Sequence, residues 1–468
     1  MITSLTSDSR RATPTAAFFA WPGASGDGRR HIAQAIERGC AAVVWERGGF
    51  AWDRAWKIPN AGVDGLKSQA GVLANEFYGR PSEAMWLCGV TGTNGKTSCA
   101  NWLAHLFSLR KIKTGVIGTL GNGFPGSFSE SPNTTPDALE LHRLLAEFKA
   151  AGASAVAMEV SSHGLDQGRV NGVAFDCALF TNLTHDHLDY HGTLDAYAEA
   201  KARLFAMPGL SAAVLNLDDP FGVQFAGRAA ARGVRTIGYS LCGATAREFI
   251  SASSIEGQSV EIKSSWGSAR VTLPQLGRFN VANAMGVLGC LIAKGVEFEE
   301  AARLLESLPP VAGRMQKIGD RPLVVVDYAH TPDALDKVLS ALKPVAQARG
   351  GRLVAVFGAG GGRDKVKRPA MGAVAAARAD RLVLTSDNPR GEDPQAIVDE
   401  IRAGVTGACE VELDRARAIG AAISSADAAD VVLIAGKGHE DYQEIAGKRL
   451  PFSDASVAGA ALRSRRGE

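Results

Sequence analysis

The residues best suited to chemistry begin with a glycine-rich segment, Gly89-Val-Thr-Gly-Thr-Asn-Gly-Lys-Thr-Ser98. Between a strand and a helix, such a loop turns backbone N–H groups inward, and the helix N-terminus adds partial positive charge for a phosphate chain. Lys96 would then reach the terminal phosphates, and the Thr97 hydroxyl would complete a magnesium site. The strict G-x-x-x-x-G-K-[ST] pattern fails at Val90, where its first glycine belongs. The remaining G-T-N-G-K-T predicts a nucleoside triphosphate site, the alternative being a glycine-rich turn with a chance lysine.

A second segment, Thr184-His-Asp-His-Leu-Asp-Tyr-His191, holds three histidines and two aspartates. One interpretation is a dinuclear zinc hydrolase with an H-x-H-x-D-H motif. Tyr190, however, separates Asp189 from the last histidine and swings it out of register. The chain has nine histidines, and those outside this segment form no obvious complementary ligand set.

The other interpretation places this segment beside the magnesium of the triphosphate. Magnesium prefers hard oxygen ligands and needs few of them from protein. Glu159, at the end of an apolar run, is well placed to supply one, and His187 would be a tolerable but unusual second. His185 and His191 are equally well explained as ordinary loop histidines.

The elements that must position these residues show as short apolar runs, many followed by glycine. We predict strands at Met85–Thr91, Ala155–Val160, Ala178–Thr181, Ala213–Asn216, Leu323–Asp327, Leu353–Phe357, Arg381–Thr385 and Val431–Ala435. Helix-like windows lie between them at Ser98–Leu109, Ala138–Ala150, Asp195–Phe205 and Val281–Lys294. Strands that alternate with helices predict parallel sheets and an α/β fold class.

Two breaks divide the chain. A polar turn, YGRPS, spans residues 78–82, and a double proline in LPPVAG at 308–313 ends a helix. At roughly 100–200 residues per domain, the length of 468 residues allows two to four domains. We predict three domains, at residues 1–82, 83–310 and 311–468.

Composition excludes several classes of protein. The chain is 46% hydrophobic and 21% charged, which rules out a disordered or fibrous protein. A net charge of +2 without long basic runs argues against a nucleic-acid partner. No apolar stretch is long enough to span a membrane, and the N-terminus lacks the apolar core of a signal peptide. Seven scattered cysteines suit reduced thiols, so we expect a cytoplasmic protein.

Further motifs, taken with the glycine-rich loop, resemble the Mur ligase family. They are Asn133-Thr-Thr-Pro136, the run from Glu159 to Arg169, the run from Thr181 to Gly192, Ala198–Phe205, Asp387-Asn-Pro-Arg390 and Gly436-Lys-Gly-His-Glu-Asp441. The likeness extends from Ser7-Asp-Ser-Arg10 to Phe452-Ser-Asp454, nearly the whole chain.

The resemblance implies a UDP-substrate-binding domain, a central P-loop ATPase-type domain with a parallel sheet, and a C-terminal Rossmann-like domain that binds an amino acid. It also implies the reaction, in which ATP, with Mg²⁺, phosphorylates the γ-carboxylate of UDP-N-acetylmuramoyl-L-alanyl-D-glutamate. An amine then attacks the acyl phosphate, and an amide, ADP and phosphate result. The likeness is strongest to members that add meso-2,6-diaminopimelate in peptidoglycan precursor synthesis, and we expect a monomer.

The family's nucleotide and metal roles transfer onto matching positions. The resemblance assigns ATP binding to Gly92, Thr93, Asn94, Gly95, Lys96, Thr97, Ser98, Asn280, Asn283, Arg314 and Asp327. It assigns metal binding to Thr97, Glu159, His187 and Lys201, and catalysis to Lys96, Glu159, His187 and Lys201. It further implies that Lys201 is carbamylated to N6-carboxylysine, which turns a cation into an anionic metal ligand. Without the resemblance, Lys201 would be interpreted as a solvated helix lysine.

Substrate roles transfer in the same way. The resemblance assigns the UDP-sugar-peptide to Ser7, Ser9, Asn133, Thr134, Thr135, Ser161, Gln167 and Arg169. It assigns diaminopimelate to Arg363, Asp387, Asn388, Pro389, Arg390, Gly436 and Glu440. Meso-diaminopimelate carries one carboxylate more than L-lysine, and a guanidinium binds carboxylate bidentately, so Arg390 is a physical reason to prefer the diacid. The run Gly358–Arg363 breaks the G-x-G-x-x-G spacing and predicts no NAD site.

Three alternatives stay open. A ligase of the same family could add L-lysine. A folylpolyglutamate synthetase-like ligase would share the ATPase and C-terminal domains, but it lacks a uridine-binding module and the DNPR motif. A non-catalytic nucleotide-dependent switch would not need Glu159, His187 and Lys201 together.

Overall fold

The computed structural model describes residues 1–23, 26–362 and 364–466. The N-terminal region is a four-stranded parallel sheet of order β1-β2-β3-β4. Its strands are β1 (Ser4–Thr6), β2 (Ala16–Ala20), β3 (Ala42–Glu46) and β4 (Asn60–Val63). Helices α1 (Ile32–Glu37) and α2 (Leu66–Phe77) accompany them, with 3₁₀ turns at Ser9–Arg11, Gly28–His31 and Pro81–Ala84. Strand β2 is buried at every residue, as expected for a parallel strand covered on both faces.

The central region is an eleven-stranded sheet of order β15-β14-β13-β12-β11-β10-β5-β9-β6-β7-β8. Its strands are β5 (Trp86–Thr91), β6 (Thr114–Gly118), β7 (Gly121–Phe124), β8 (Ser127–Ser129), β9 (Ala155–Glu159), β10 (Cys177–Phe180), β11 (Ala212–Asn216), β12 (Arg235–Ser240), β13 (Glu248–Glu256), β14 (Ser259–Ser264) and β15 (Gly267–Thr272). Its helices are α3 (Lys96–Leu109), α4 (Ala138–Ala150), α5 (Ser162–Asp166), α6 (Leu188–His191), α7 (Leu194–Ala202), α8 (Pro220–Ala231), α9 (Arg278–Ala293) and α10 (Phe298–Leu304), with 3₁₀ turns at Arg203–Ala206 and Leu305–Ser307.

The C-terminal region is a six-stranded sheet of order β16-β17-β21-β18-β19-β20, with a separate hairpin β22-β23. The strands are β16 (Gln316–Asp320), β17 (Leu323–Asp327), β18 (Leu353–Phe357), β19 (Arg381–Leu384), β20 (Glu410–Val411), β21 (Val431–Ala435), β22 (Tyr442–Ile445) and β23 (Lys448–Pro451). The helices are α11 (Pro332–Ala348), α12 (Lys367–Arg378), α13 (Pro394–Arg402), α14 (Arg415–Ser425) and α15 (Asp454–Arg466).

The structure confirms the α/β class and the eight strands expected from the apolar runs. Pairing is parallel from β13 across to β6, as in the alternating strand–helix interpretation. The antiparallel edges, β13-β14-β15 and β6-β7-β8, were not predicted, because their strands are rich in serine and glycine rather than apolar. Each sheet lies inside one of the three predicted ranges, and the boundaries at 82 and 310 stay predictions.

The carboxyl ends of the parallel strands determine where loops can meet. Ligands of open α/β sheets bind outside these ends, where the loops leave the sheet. Strand β5 leads into the glycine-rich loop, β9 ends at Glu159, β17 ends at Asp327, and β21 leads to Gly436. Among the residues that the structure describes, no helix is both long and apolar enough to cross a membrane.

Candidate active site

The glycine-rich loop between β5 and α3 has the backbone shape of an anion cradle. Gly92 and Gly95 have φ of 146° and 90°, values that L side chains rarely adopt. A Cβ on Gly92 would also lie 1.9 Å from Thr181 Oγ1. Lys96 Nζ folds over the loop and donates to the carbonyls of Gly92 and Thr93 at 2.7 and 2.9 Å. Burial lowers the pKa of Lys96, and the nearby Glu159 partly offsets this.

Thr97 and Glu159 form a buried pair of oxygen donors beside the loop. Thr97 Oγ1 donates to Glu159 Oε2 at 3.0 Å, and Thr119 N donates to Glu159 Oε1 at 2.8 Å. Glu159 is 1% exposed, so its negative charge lies in a site that excludes bulk water. Hydroxyl and carboxylate oxygens are the ligands that Mg²⁺ prefers, and this pair therefore fits such an ion.

Lys201, near the end of α7, lies directly beneath the loop. It is 1% exposed, its Nζ donates to Gly92 O at 2.9 Å, and the same atom lies 4.4 Å from the centre of the Tyr197 ring. Burial lowers its pKa well below the ordinary lysine value, and the charge of Lys96 acts in the same direction. An uncharged amine is the form that can add CO₂, so the environment suits the predicted carbamate. Burial also overturns the interpretation of Lys201 as a solvated helix lysine.

The histidine segment does not assemble a zinc centre. His187 has a left-handed backbone, with φ of 54°, and its Nε2 lies 3.5 Å from Asp186 Oδ2. Burial lowers the pKa of His187 to about 4 despite that carboxylate, so its imidazole is neutral near pH 7. His191 Nε2 instead contacts Ser162 Oγ at 3.0 Å. Within the described ranges, this segment brings no three metal-ligating side chains together.

A small recess lies between the central and C-terminal regions. Its walls include Asn94, Gly95, Ser98, Asn182, Phe279, Asn280, Asn283, Arg314, Asp327, Tyr328 and Lys337. Asp327 accepts from the backbone N–H groups of Met315 and Ala329 at 2.7 and 2.8 Å, and burial raises its pKa. Seven of the eleven predicted ATP residues thus line one recess: Asn94, Gly95, Ser98, Asn280, Asn283, Arg314 and Asp327.

A second cavity, of about 300 Å³, joins the phosphate loop to the predicted amino-acid site. Predicted residues around it are Thr93, Asn94, Gly95, Lys96, Thr97, Thr134, Glu159, His187, Arg314, Asp387, Asn388, Arg390, Gly436 and Glu440. Asp186, His330 and Lys367 also line it and were not predicted. Asp186 belongs to the histidine segment from Thr184 to His191, whereas no sequence motif pointed to a role for Lys367.

The Asp387–Arg390 loop is held rigidly by its neighbours. Asn388 Nδ2 donates to Glu440 Oε2 at 2.8 Å, and Lys437 Nζ donates to Asn388 Oδ1 at 3.0 Å. Arg390 has φ of 52°, and its Nη1 donates to Gly361 O at 2.6 Å.

Two further residues predicted for diaminopimelate are described: Pro389 belongs to this loop, and Gly436 packs against it. The Pro389 carbonyl accepts from Glu392 N at 3.0 Å. A Cβ on Gly436 would lie 2.4 Å from Asp387 Oδ2, so close packing requires glycine there. The predicted Arg363 lies outside the described residues.

Six of the eight residues predicted to bind the UDP-sugar-peptide line two adjoining cavities. Ser7, Asn133, Gln167 and Arg169 line one cavity, and Asn133, Thr134, Ser161 and Arg169 line an adjoining one. The hydroxyls of Ser9 and Thr135 serve internal hydrogen bonds, to Gln34 Oε1 at 2.7 Å and Glu159 O at 2.8 Å.

The adjoining cavity also reaches the C-terminal hairpin. Tyr442 and Arg449 line it, and the Arg449 guanidinium carbon lies 4.4 Å from the centre of the Tyr442 ring. Neither residue was predicted from the sequence, since both contact the cavity only through the fold of β22-β23.

Comparison with known families accounts for most of the chain. The Mur ligase middle domain matches residues 90–291, and the Mur ligase glutamate ligase domain matches residues 313–438. The Mur ligase family catalytic domain matches residues 1–78.

Individual relatives match nearly end to end. The chain is 50% identical over 459 residues to the UDP-N-acetylmuramoyl-L-alanyl-D-glutamate–2,6-diaminopimelate ligase of Chromobacterium violaceum, covering 97% of this chain and 93% of the relative. It is 48% identical over 468 residues to the Pseudomonas aeruginosa protein of the same name, covering 99% and 95%.

Solved structures agree in fold. A ligase of that name superposes with a TM-score of 0.70 at 36% identity, covering 99% of this chain and 95% of the other. A MurF from Acinetobacter baumannii superposes with a TM-score of 0.67 at 21% identity, covering 93% and 90%. The second likeness concerns the fold alone.

Proposed function

The chain belongs to the Mur ligase family, and we propose that it is the ATP-dependent ligase that joins meso-2,6-diaminopimelate to UDP-N-acetylmuramoyl-L-alanyl-D-glutamate. Relatives that bear this name are about half identical to it over nearly the full length. One observation carries the proposal: a single cavity is lined by the phosphate loop at Lys96 and by the amino-acid loop at Arg390. A nucleotide and an amine could therefore meet at one acceptor carboxylate, as peptidoglycan precursor synthesis requires.

The chemistry begins with activation of a carboxylate. A carboxylate is a poor electrophile, so ATP transfers its γ-phosphoryl group to the γ-carboxylate of the acceptor and forms an acyl phosphate. Two anions must approach each other in this step. Lys96 and Arg314 are two of the cations on the cavity wall, and they can neutralise the developing charge. The amine then attacks the acyl carbon, and phosphate leaves with the formation of the amide.

The remaining part of the proposal is a Mg²⁺ site, for which three residues lie on the cavity wall and the fourth, Lys201, lies beneath the loop. Thr97, Glu159, His187 and a carbamylated Lys201 are the proposed ligands. The buried Thr97–Glu159 pair, the neutral His187 and the low pKa of Lys201 support this set. When bound, the ion neutralises phosphate charge and orients the triphosphate. ADP-bound relatives of the same fold are consistent with a nucleotide in this recess.

Selection of the amine is proposed to rest on Arg390. Its guanidinium is tied to Gly361 O by one nitrogen, which restricts the side chain while it lines the cavity. A planar cation held in this way suits a carboxylate at the far end of the diacid. Asp387 and Glu440 supply negative charge on the same wall for the ammonium group. L-Lysine lacks the second carboxylate and would leave Arg390 with only its protein partners, Gly361 O and Glu444.

The proposed enzyme is cytoplasmic and monomeric. All seven cysteines are free, which suits a reducing compartment. Sedimentation analysis of the full chain tests the monomer.

Phosphate release tests the function directly. The assay contains ATP, magnesium and UDP-N-acetylmuramoyl-L-alanyl-D-glutamate, with either meso-diaminopimelate or L-lysine. We expect release with the diacid alone. Release with L-lysine alone would keep a ligase but overturn the role of Arg390, and silence with both amines would overturn the proposed reaction.

A further inference from the structure

Three cysteine side chains meet in the core of the central region, away from the cavities described above. Cys88 Sγ lies 3.8 Å from Cys290 Sγ, and Cys177 Sγ lies 3.9 Å from Cys290 Sγ. All three sulfur atoms lie within 4.8 Å of one another, and the three residues are 0% exposed. Among the described residues, this is the one such group of potential metal ligands.

Rigid elements hold this three-sulfur cluster. Cys88 on β5 and Cys177 on β10 are paired residues of neighbouring parallel strands, so their side chains leave the same face of the sheet. Cys290 lies on α9, which packs against that face. Geometry set by a strand pair and a packed helix does not depend on a mobile loop.

We propose that Cys88, Cys177 and Cys290 form a binding site for one soft monovalent cation, with Cu⁺ as its representative. Metal–sulfur bonds of about 2.3 Å place three sulfurs of a trigonal plane about 4.0 Å apart. The two separations from Cys290, 3.8 and 3.9 Å, are close to that value, and the third lies within 4.8 Å. Thiolate is the ligand that selects Cu⁺ among the biological metals.

The number of ligands favours Cu⁺ over Zn²⁺. Zinc sites are almost always four-coordinate, and the fourth ligand here would have to come from an apolar core. Exchange of one Cu⁺ for one thiol proton leaves the core neutral, with one thiolate and two thiols on the metal and the proton released to solvent. The ion would enter through transient opening of the domain.

Simple packing is the competing explanation, because buried cysteines behave as small apolar residues. Cys99, in the same core, is an example of a buried cysteine that only packs. Its Sγ contacts the carbonyl of Asn283 at 3.8 Å. Cys88 and Cys177 instead direct their thiols to a third sulfur. A converging set of sulfurs is the arrangement that a thiophilic ion requires.

Copper binding by the full-length, reduced chain tests the site. The protein is incubated anaerobically with Cu⁺ held by bicinchoninate, desalted and analysed for copper and for X-ray absorption. We expect one copper per chain, with three sulfur neighbours at about 2.3 Å. In Cys290→Ala two sulfurs are left, so the copper that remains should show two sulfur neighbours instead of three. Cys290→Ser, which keeps the side-chain volume, should behave alike if the alanine variant folds poorly.

Matched controls are the buried Cys40 and the exposed Cys242. Cys40→Ala and Cys242→Ala should each retain one copper. Copper with three sulfur neighbours in Cys290→Ser, or copper that disappears with Cys242→Ala, would overturn the site. An absence of copper on the reduced wild-type chain would overturn it as well and leave packing as the role of the cluster.

Discussion

Arg314 Nη2 donates a hydrogen bond of 3.0 Å to Thr97 Oγ1, across a sequence separation of 217 residues. Thr97 is the second residue of α3, the helix after the phosphate loop, whereas Arg314 precedes the C-terminal sheet. The Arg314 guanidinium carbon also lies 4.5 Å from the centre of the Tyr328 ring, which orients it toward the loop. The C-terminal region therefore contacts the residues that follow the phosphate loop, and the docking of the two regions places a cation beside Thr97.

Arg314→Ala should lower phosphate release by about 100-fold, because a preorganised cation facing developing charge is worth two to three orders of magnitude. Steady-state assays with both substrates measure the effect. Arg378→Ala is the control, since that arginine is a surface residue paired with Asp336. Equal activity of the two variants would contradict a role for Arg314 at the phosphates.

Arg390→Ala should lower kcat/KM for meso-diaminopimelate by about 10- to 100-fold, the loss expected for a charged hydrogen-bonded contact. The KM for ATP should change little, since the phosphate loop lies on the opposite wall. Varying each substrate in turn separates these constants. A parallel loss for both substrates would argue that the Asp387–Arg390 loop had collapsed rather than lost one contact.

Lys201→Ala should be nearly inactive, because it removes a buried group directly beneath Gly92. If Lys201 is carbamylated, a short-chain carboxylate added to the variant should restore part of the activity by replacing the missing anion. ¹³C NMR of the wild-type chain under ¹³CO₂ should show a carbamate signal that the variant lacks. Lys343→Ala, at a surface ion pair with Asp380, is the control. Full activity of Lys201→Ala would contradict the carbamate.

A fully buried ion pair supports the amino-acid site. Arg415 donates from Nε and Nη2 to the two carboxylate oxygens of Asp454, both at 2.7 Å, and both side chains are 0% exposed. The same guanidinium donates to Ser386 O and Ala435 O, which directly precede Asp387 and Gly436 in the chain. The pair therefore holds both substrate loops in register.

Asp454→Ala should lower the free energy of unfolding by about 3–5 kcal/mol, the cost of leaving a buried cation unpaired. Urea denaturation measures the change. Asp427→Ala, which removes an 81% exposed carboxylate, should change it little. If both variants lost equal stability, burial would not be the cause.

Glu392 should make stability depend on pH in the acid range. Arg368 contacts the Glu392 carboxylate at 3.0 Å and lowers its pKa from 4.5 to about 2. A carboxyl whose folded pKa is depressed stabilises the fold above its unfolded pKa, and this contribution disappears as the pH falls from about 4.5 to about 2. Glu392→Gln should therefore be less stable than wild type at pH 7, and the difference should shrink over that interval. Thermal unfolding measures it, with exposed Glu83→Gln as control.

Much of the site was predictable because its signals are local. The pattern G-T-N-G-K-T requires only that a strand, a turn and a helix follow one another, and β5 and α3 do so. Glu159 was predicted from its place at the end of an apolar strand. Parallel strands bring their carboxyl ends to one edge, so residues that follow β5, β9 and β21 could be expected near the site.

Other features were decided only by packing between distant segments. The sequence alone favours a solvated Lys201, and its burial depends on the contact between α7 and a loop about a hundred residues earlier. The contact of Arg314 with Thr97 depends on how two separately folded sheets dock. The three-sulfur cluster forms because two paired strands and the helix packed against them bring Cys88, Cys177 and Cys290 together. Local residue types determine which elements form, whereas burial, pKa and converging side chains depend on tertiary packing, because each is set by neighbours far along the chain.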